Sequence, residues 1–150
     1  MKPAFTMIEL IFVIIILGIL ASVAIPRMIA TRDDANIAKS LNDIRRVVAD
    51  FGSFYTATGA FDGNSTTTNP NNMTSVENLV ANGTVVTYST PDGSVGLEEC
   101  VTFTLSDSNI TVAQATPAGS GGVCMGVISS SVFADINKTI ILGGSRANFY

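Results

Sequence analysis

The chain has no histidine. That absence removes Ser-His-Asp and Cys-His nucleophiles, imidazole acid–base work and His-ligated zinc together. Cysteine is scarce, with only Cys100 and Cys124, too few to build a zinc site alone. No Lys or Arg falls between Phe51 and Asn137, whereas Asp62, Glu77, Asp92, Glu98, Glu99, Asp107 and Asp135 do. A stretch so acidic cannot displace counterions from a phosphate backbone, so nucleic acid is not expected as its partner. The Gly-rich segment 119–126 has no Lys and cannot act as a phosphate-cradling loop. Glu98 and Glu99 are neighbours, and neighbours on a strand point to opposite faces, which spoils them as a glycosidase pair. With Asp92 they offer hard oxygen ligands, but no metal or cofactor site is assigned. An enzyme is not expected.

What the chain does have is one long apolar run. Residues 5–25 span about 21 residues, or roughly 31 Å as a helix, which matches one bilayer core. One ionisable group, Glu9, interrupts it. A carboxylate in hydrocarbon costs about 2.5–3.5 kcal/mol on the insertion scale, so it normally has a partner and a function. The run contains no cation; Lys2, or an amine from a neighbouring subunit, are the candidates.

The segment Ala4-Phe5-Thr6-Met7-Ile8-Glu9, led by Lys2 and followed by apolar residues up to Pro26, resembles a prepilin of the type IV filament superfamily. That superfamily includes type IV pilins and the pseudopilins of type II secretion. The resemblance covers about the first 30 residues and implies cleavage by prepilin peptidase between Ala4 and Phe5, with N-methylation of Phe5. Ala4 stands where the family usually has Gly. The resemblance further implies that Glu9 pairs with the Phe5 amine of a neighbour and sets axial register. Gly18 and Pro26 are then the points where the helix opens locally in the filament. The partners it implies are other copies or other pilins in a helical filament, the peptidase, an inner-membrane assembly platform and lipid. The location it implies is the bacterial inner membrane with a periplasmic head, then a pilus or a periplasmic pseudopilus.

Two other readings compete for this segment. Ser22-Val23-Ala24 resembles a signal-peptidase site, but the run exceeds the usual 7–15 apolar residues and its basic region is Lys2 alone. A plain signal anchor, carrying a periplasmic enzyme or binding domain, needs no acid at that depth. Between pilin and pseudopilin, the N-terminus does not discriminate. The calcium-binding acidic loop near the C-terminus of major pseudopilins has no counterpart here, because no acid follows Asp135.

The expected fold is α+β and pilin-like: a long N-terminal helix, transmembrane in its first half, laid on a small antiparallel sheet. Residues 1–4 form the leader, 5–26 the membrane or filament-core helix, and 27–150 the head. Ile37, Leu41, Ile44, Val48, Phe51 and Tyr55 recur every three or four residues, so the helix should continue to about Tyr55, kinked at Pro26. Asp43 and Arg46, three apart, form a supporting pair. Thr74-Ser75-Val76-Glu77 has the capping-box pattern and predicts a short helix stopped at Asn82-Gly83. Strands are expected over 84–89, 100–105, 110–115 and 139–142, with a turn at Pro91-Asp92-Gly93 and a hairpin through 106–109. Cys124, Ile128, Val132, Phe133 and Ile136 fit a helix. Cys100 and Cys124 suit a disulfide in an oxidising compartment, the alternative being two buried thiols.

Five Asn-x-Ser/Thr sequons occur, at Asn64, Asn72, Asn82, Asn109 and Asn137. Asp62, Asp107 and Asp135 stand two residues before Asn64, Asn109 and Asn137, resembling the acceptor that bacterial oligosaccharyltransferases prefer. Chance places an acid there at about 0.4 of five sites. Asp and Asn also share turns for backbone reasons, which is the other account of Asn109. By loop length Asn64 is the best acceptor, Asn137 next and Asn109 last.

Overall fold

The computed structural model describes residues 5–62, 68–92, 96–116, 118–119 and 122–143, with only the backbone of Pro26, Ile29, Ala30 and Asp92. Two compact units divide the chain, Met1–Asp34 and Ala35–Tyr150. Helix α1, Met7–Thr58, contributes to both. In the first unit its residues Met7–Ile25 are apolar and exposed, followed by the charged Arg27, Arg32, Asp33 and Asp34. In the second it is one layer of the head.

The head part of α1 is held by its stripe. Ile44, Val47 and Phe51 are fully buried, and Ile37, Leu41 and Val48 pack partly against them. Val47 was not in the stripe expected from the sequence, yet it lies three residues from Ile44 and four from Phe51, on the same face. The Phe51 ring meets Phe103 edge-on, centroids 6.1 Å apart. Beyond Thr58 the chain leaves the helix through Gly59, whose φ of +80° only glycine adopts cheaply, and Gly59 N–H donates to the Tyr55 carbonyl at 2.7 Å.

The second layer is a five-stranded antiparallel sheet in chain order. Its strands are β1 (Leu79–Asn82), β2 (Val85–Asp92), β3 (Gly96–Ser106), β4 (Asn109–Gln114) and β5 (Thr139–Ile141). Side chains alternate across it as the pleat requires. Val86, Tyr88, Val101, Phe103, Leu105, Ile110 and Val112 are buried toward α1. Thr87, Thr102, Thr104, Thr111 and Thr139 lie at the alternate positions, and in register Thr87 faces Thr102, Thr104 faces Thr111, and Thr111 faces Thr139. This is the α+β, pilin-like architecture expected.

Helices α2 (Gly122–Ile128) and α3 (Ser131–Ile136) close the head. The helical spacing expected from Cys124 to Ile136 is present but interrupted, because Ser130 is extended and its hydroxyl accepts from Phe133 N–H at 3.1 Å, capping a new helix. Cys100 and Cys124 are bridged, Cα atoms 5.5 Å apart, tying β3 to α2.

Three local expectations are corrected. The capping box at Thr74–Glu77 opens no helix. Asn78 takes φ +62° and β1 begins at Leu79, while the Thr74 hydroxyl donates to Asp50 at 2.6 Å and accepts from Val76 N–H at 3.2 Å. Pro91 and Asp92 are not a turn but the end of β2, paired with Leu97 and Gly96. Pro91 is tolerated there because β1 starts opposite Tyr88, so the position lies past the neighbouring strand. Arg46 does not pair with Asp43: its Nε lies 3.7 Å from Asp50, and Asp43 accepts instead from the Tyr88 hydroxyl at 3.0 Å.

Candidate assembly site

The N-terminal unit presents nineteen residues, Met7–Ile25, of mean hydropathy 2.9, with none of them buried against the rest of the chain. By length and composition this helix can cross a membrane. Phe5, Met7 and Ile8 are more than three-quarters exposed. Burying one such side chain is worth about 1.5–3 kcal/mol, so the surface as a whole demands a cover of lipid or protein.

Glu9 sits at its start and is held locally. The Thr6 N–H donates to Glu9 Oε2 at 2.9 Å, the Thr6 hydroxyl donates to the same oxygen at 2.8 Å, and Glu9 N–H donates to the Thr6 hydroxyl at 3.4 Å. This is a capping box, in which Thr6 and Glu9 satisfy each other's backbone donors at the first turn of α1. The helix dipole also favours a carboxylate there. Thr6 was not singled out from the sequence, although Thr6-x-x-Glu9 ahead of an apolar run carried the signal. Glu9 Oε1 has no partner among the described residues. One oxygen is thus occupied by Thr6, and among the described residues the other has no donor.

The other residues marked by the sequence fall in several places. Ala4 and Asn64 lie outside the described residues, as does the Pro26 side chain. The helix assignment runs through Gly18 and Pro26, and a Cβ at Gly18 would touch nothing. Cys100 and Cys124 are joined in the core, far along the chain from Glu9. Asn109 is half-buried at the start of β4, and Asn137 is exposed just after α3.

A shallow groove of about 190 Å³ is lined by Lys39, Asp43, Arg46, Ser75, Val76, Glu77 and Asn78. Arg46 donates to the Ser75 hydroxyl at 3.0 Å and Asp43 holds Tyr88, so two of its polar groups are already engaged in packing the head. Burial pushes the Tyr88 phenol from 10.0 up to about 12, with the Asp43 carboxylate adding to the rise. Among the described residues no three of Cys, Asp and Glu gather as a metal-ligand set. Comparison with protein-family models, with curated proteins and with solved structures gives no match.

Proposed function

We propose that this chain is a structural subunit of a type IV filament, a type IV pilin, and not an enzyme. One observation carries the reading: a membrane-length apolar helix with all its residues exposed, and a carboxylate at its first turn that keeps one oxygen unpartnered among the described residues. A helix that only anchored a domain would gain a capped first turn from that carboxylate, but it would have no use for the second oxygen. A helix that packs against copies of itself would gain register.

In this account prepilin peptidase cuts between Ala4 and Phe5 and the new Phe5 amine is methylated. The helix holds each subunit in the inner membrane, head in the periplasm, until an assembly platform extracts it. On assembly, neighbouring helices replace lipid on the exposed face. Glu9 Oε1 receives the Phe5 ammonium of the next subunit while Oε2 stays on Thr6. In low dielectric a misregistered subunit would leave both charges unpaired, at a cost of about 3–5 kcal/mol, so the pair acts chiefly on specificity. The disulfide suits a head that works in an oxidising compartment, which the cell surface and the periplasm both provide.

Mild shearing of cells, followed by microscopy and peptide mass analysis, tests the proposal. The chain should be abundant in sheared fibres. Its confinement to envelope fractions would instead place it in the secretion pseudopilus, and a monodisperse membrane protein with no fibres would reject both.

A further inference from the structure

The sequons separate once the fold is known. Asn72 Nδ2 donates to Asp62 at 2.5 Å, so its amide is engaged. Asn82 is paired with Val85 and has Val80, not an acid, two residues before it. Asn109 is half-buried, paired with Ser106 on one side and Ile141 on the other, and its Oδ1 accepts from the Ser108 hydroxyl at 3.5 Å. Asn137 differs from all three. It is the C-cap of α3, at φ −68° and ψ 73°, and Lys138 N–H donates across it to the Ile136 carbonyl at 2.7 Å. That is an inverse γ-turn. Asp135, Asn137 and Thr139 are all exposed, and the Asn137 side-chain amide has no partner among the described residues.

We propose that Asn137 is an N-glycosylation site, read through Asp135 on one side and Thr139 on the other. The donor is an oligosaccharide carried on a polyprenyl diphosphate. The Asn137 amide nitrogen attacks the anomeric carbon, a C–N bond forms, and the bond from that carbon to the diphosphate oxygen breaks. The electron pair leaves with the diphosphate and the amide nitrogen gives up one proton to a base. Nothing is oxidised or reduced.

The fold also sets when this happens. The Thr139 hydroxyl lies 3.0 Å from the Thr111 hydroxyl on the neighbouring strand, and Thr111 is the corresponding residue of the Asn109 sequon. Each sequon's hydroxyl is therefore taken up by the other once β5 joins β4. A transferase must reach Thr139 before that pairing closes or during its opening. The three-residue β5 pairs with β4 alone at the sheet edge, whereas β4 is zipped to β3 through the two-residue turn Asp107-Ser108. Local hairpin contacts form before distant ones, so Asn109 is closed off early and Asn137 stays open longer. Asn137 is exposed in the folded head, so a glycan on it would meet no packed neighbour among the described residues.

This proposal goes beyond the filament reading and needs only that the head crosses the membrane. The test uses the full chain purified from the cells that make it, reduced and cleaved before aspartate. That cleavage separates 107–134, with Asn109, from 135–150, with Asn137. An added sugar mass is expected on 135–150. It should be lost in Asn137→Gln and Thr139→Ala, retained in Thr139→Ser, and reduced at least tenfold in Asp135→Ala, whose fragment becomes 107–150. An intact Cys100–Cys124 bridge in each variant shows that the head has folded. An unmodified 135–150 fragment overturns the proposal, and in cells with normal fibres it does so without touching the filament reading. A mass that survives both Thr139→Ala and Asp135→Ala overturns it equally, as another modification.

Discussion

Gly126 on α2 lies directly against Ile37 on α1. A methyl group placed at Gly126 would stand 2.9 Å from Ile37 Cγ1 and closer still to Cδ1. The close approach lets α2, already stapled to β3 by the disulfide, settle on the helix stripe that organises the head.

Gly126→Ala should therefore destabilise the head by about 1–3 kcal/mol, the usual cost of overpacking. Ile37→Val removes the Cδ1 methyl, so the double variant should recover part of that loss. Denaturant midpoints of the four proteins in the cycle measure the coupling. Additive effects would show that the two residues do not touch.

Cys100→Ser should cost about 2–5 kcal/mol and leave Cys124 reactive toward a thiol probe after unfolding. The loop closed by the bridge, with a sequence separation of 24, contains β4 and the approach to α2, so both should gain amide exchange in the variant. Labelling of Cys124 in the unreduced natural protein would contradict the bridge.

Tyr88 predicts an alkaline limit to stability. Its phenol is raised by burial to about 12 from 10.0, so between those values the folded head keeps a proton that the unfolded chain has lost. Its contribution is fully present below pH 10 and drains away as pH rises through about 12. Tyr88→Phe should flatten that decline and cost about 1 kcal/mol at neutral pH through the lost hydrogen bond to Asp43. Chemical denaturation at several alkaline pH values measures both. An equal alkaline slope in the variant would assign the decline to other groups.

Glu9→Val should leave any membrane insertion intact, since it removes a polar cost that is about 2.5–3.5 kcal/mol at a helix centre and smaller at this first turn. On the filament proposal it should nevertheless abolish sheared fibres, because neighbouring helices would lose the contact proposed to fix register. Fibre yield against membrane-fraction abundance separates the two effects. Normal fibre numbers would show that Glu9 has no part in assembly.

The same short pattern, Thr-x-x-Glu, explains what was legible in the sequence and what was not. It occurs at Thr6–Glu9 and at Thr74–Glu77, and it caps a helix only at the first. After Glu9 comes a long apolar run that can only be satisfied as a helix. After Glu77 comes Asn78 in a left-handed turn and then a strand that completes the sheet, so tertiary pairing overrides the local signal. The stripe through Ile44 and Phe51 and the β3–β4 hairpin were readable because period or spacing carried them, and the Cys100–Cys124 bridge because only two cysteines follow an N-terminus that reads as exporting the head. The register that extends β2 through Pro91, and the cap that splits α2 from α3 at Ser130, depend on neighbours distant in sequence. At the candidate site, the acid was visible from its solitude in an apolar run, but its hold on Thr6 needed the helix start to be placed first.

The most direct test of the filament account is the mass of the N-terminal peptide of the mature chain. Cleavage and methylation prepare the amine that Glu9 is proposed to bind, so they come before every later step. The account predicts a peptide that begins at Phe5 and carries one N-methyl group. A chain still beginning at Met1, or one cut to begin at Ile25, would contradict it.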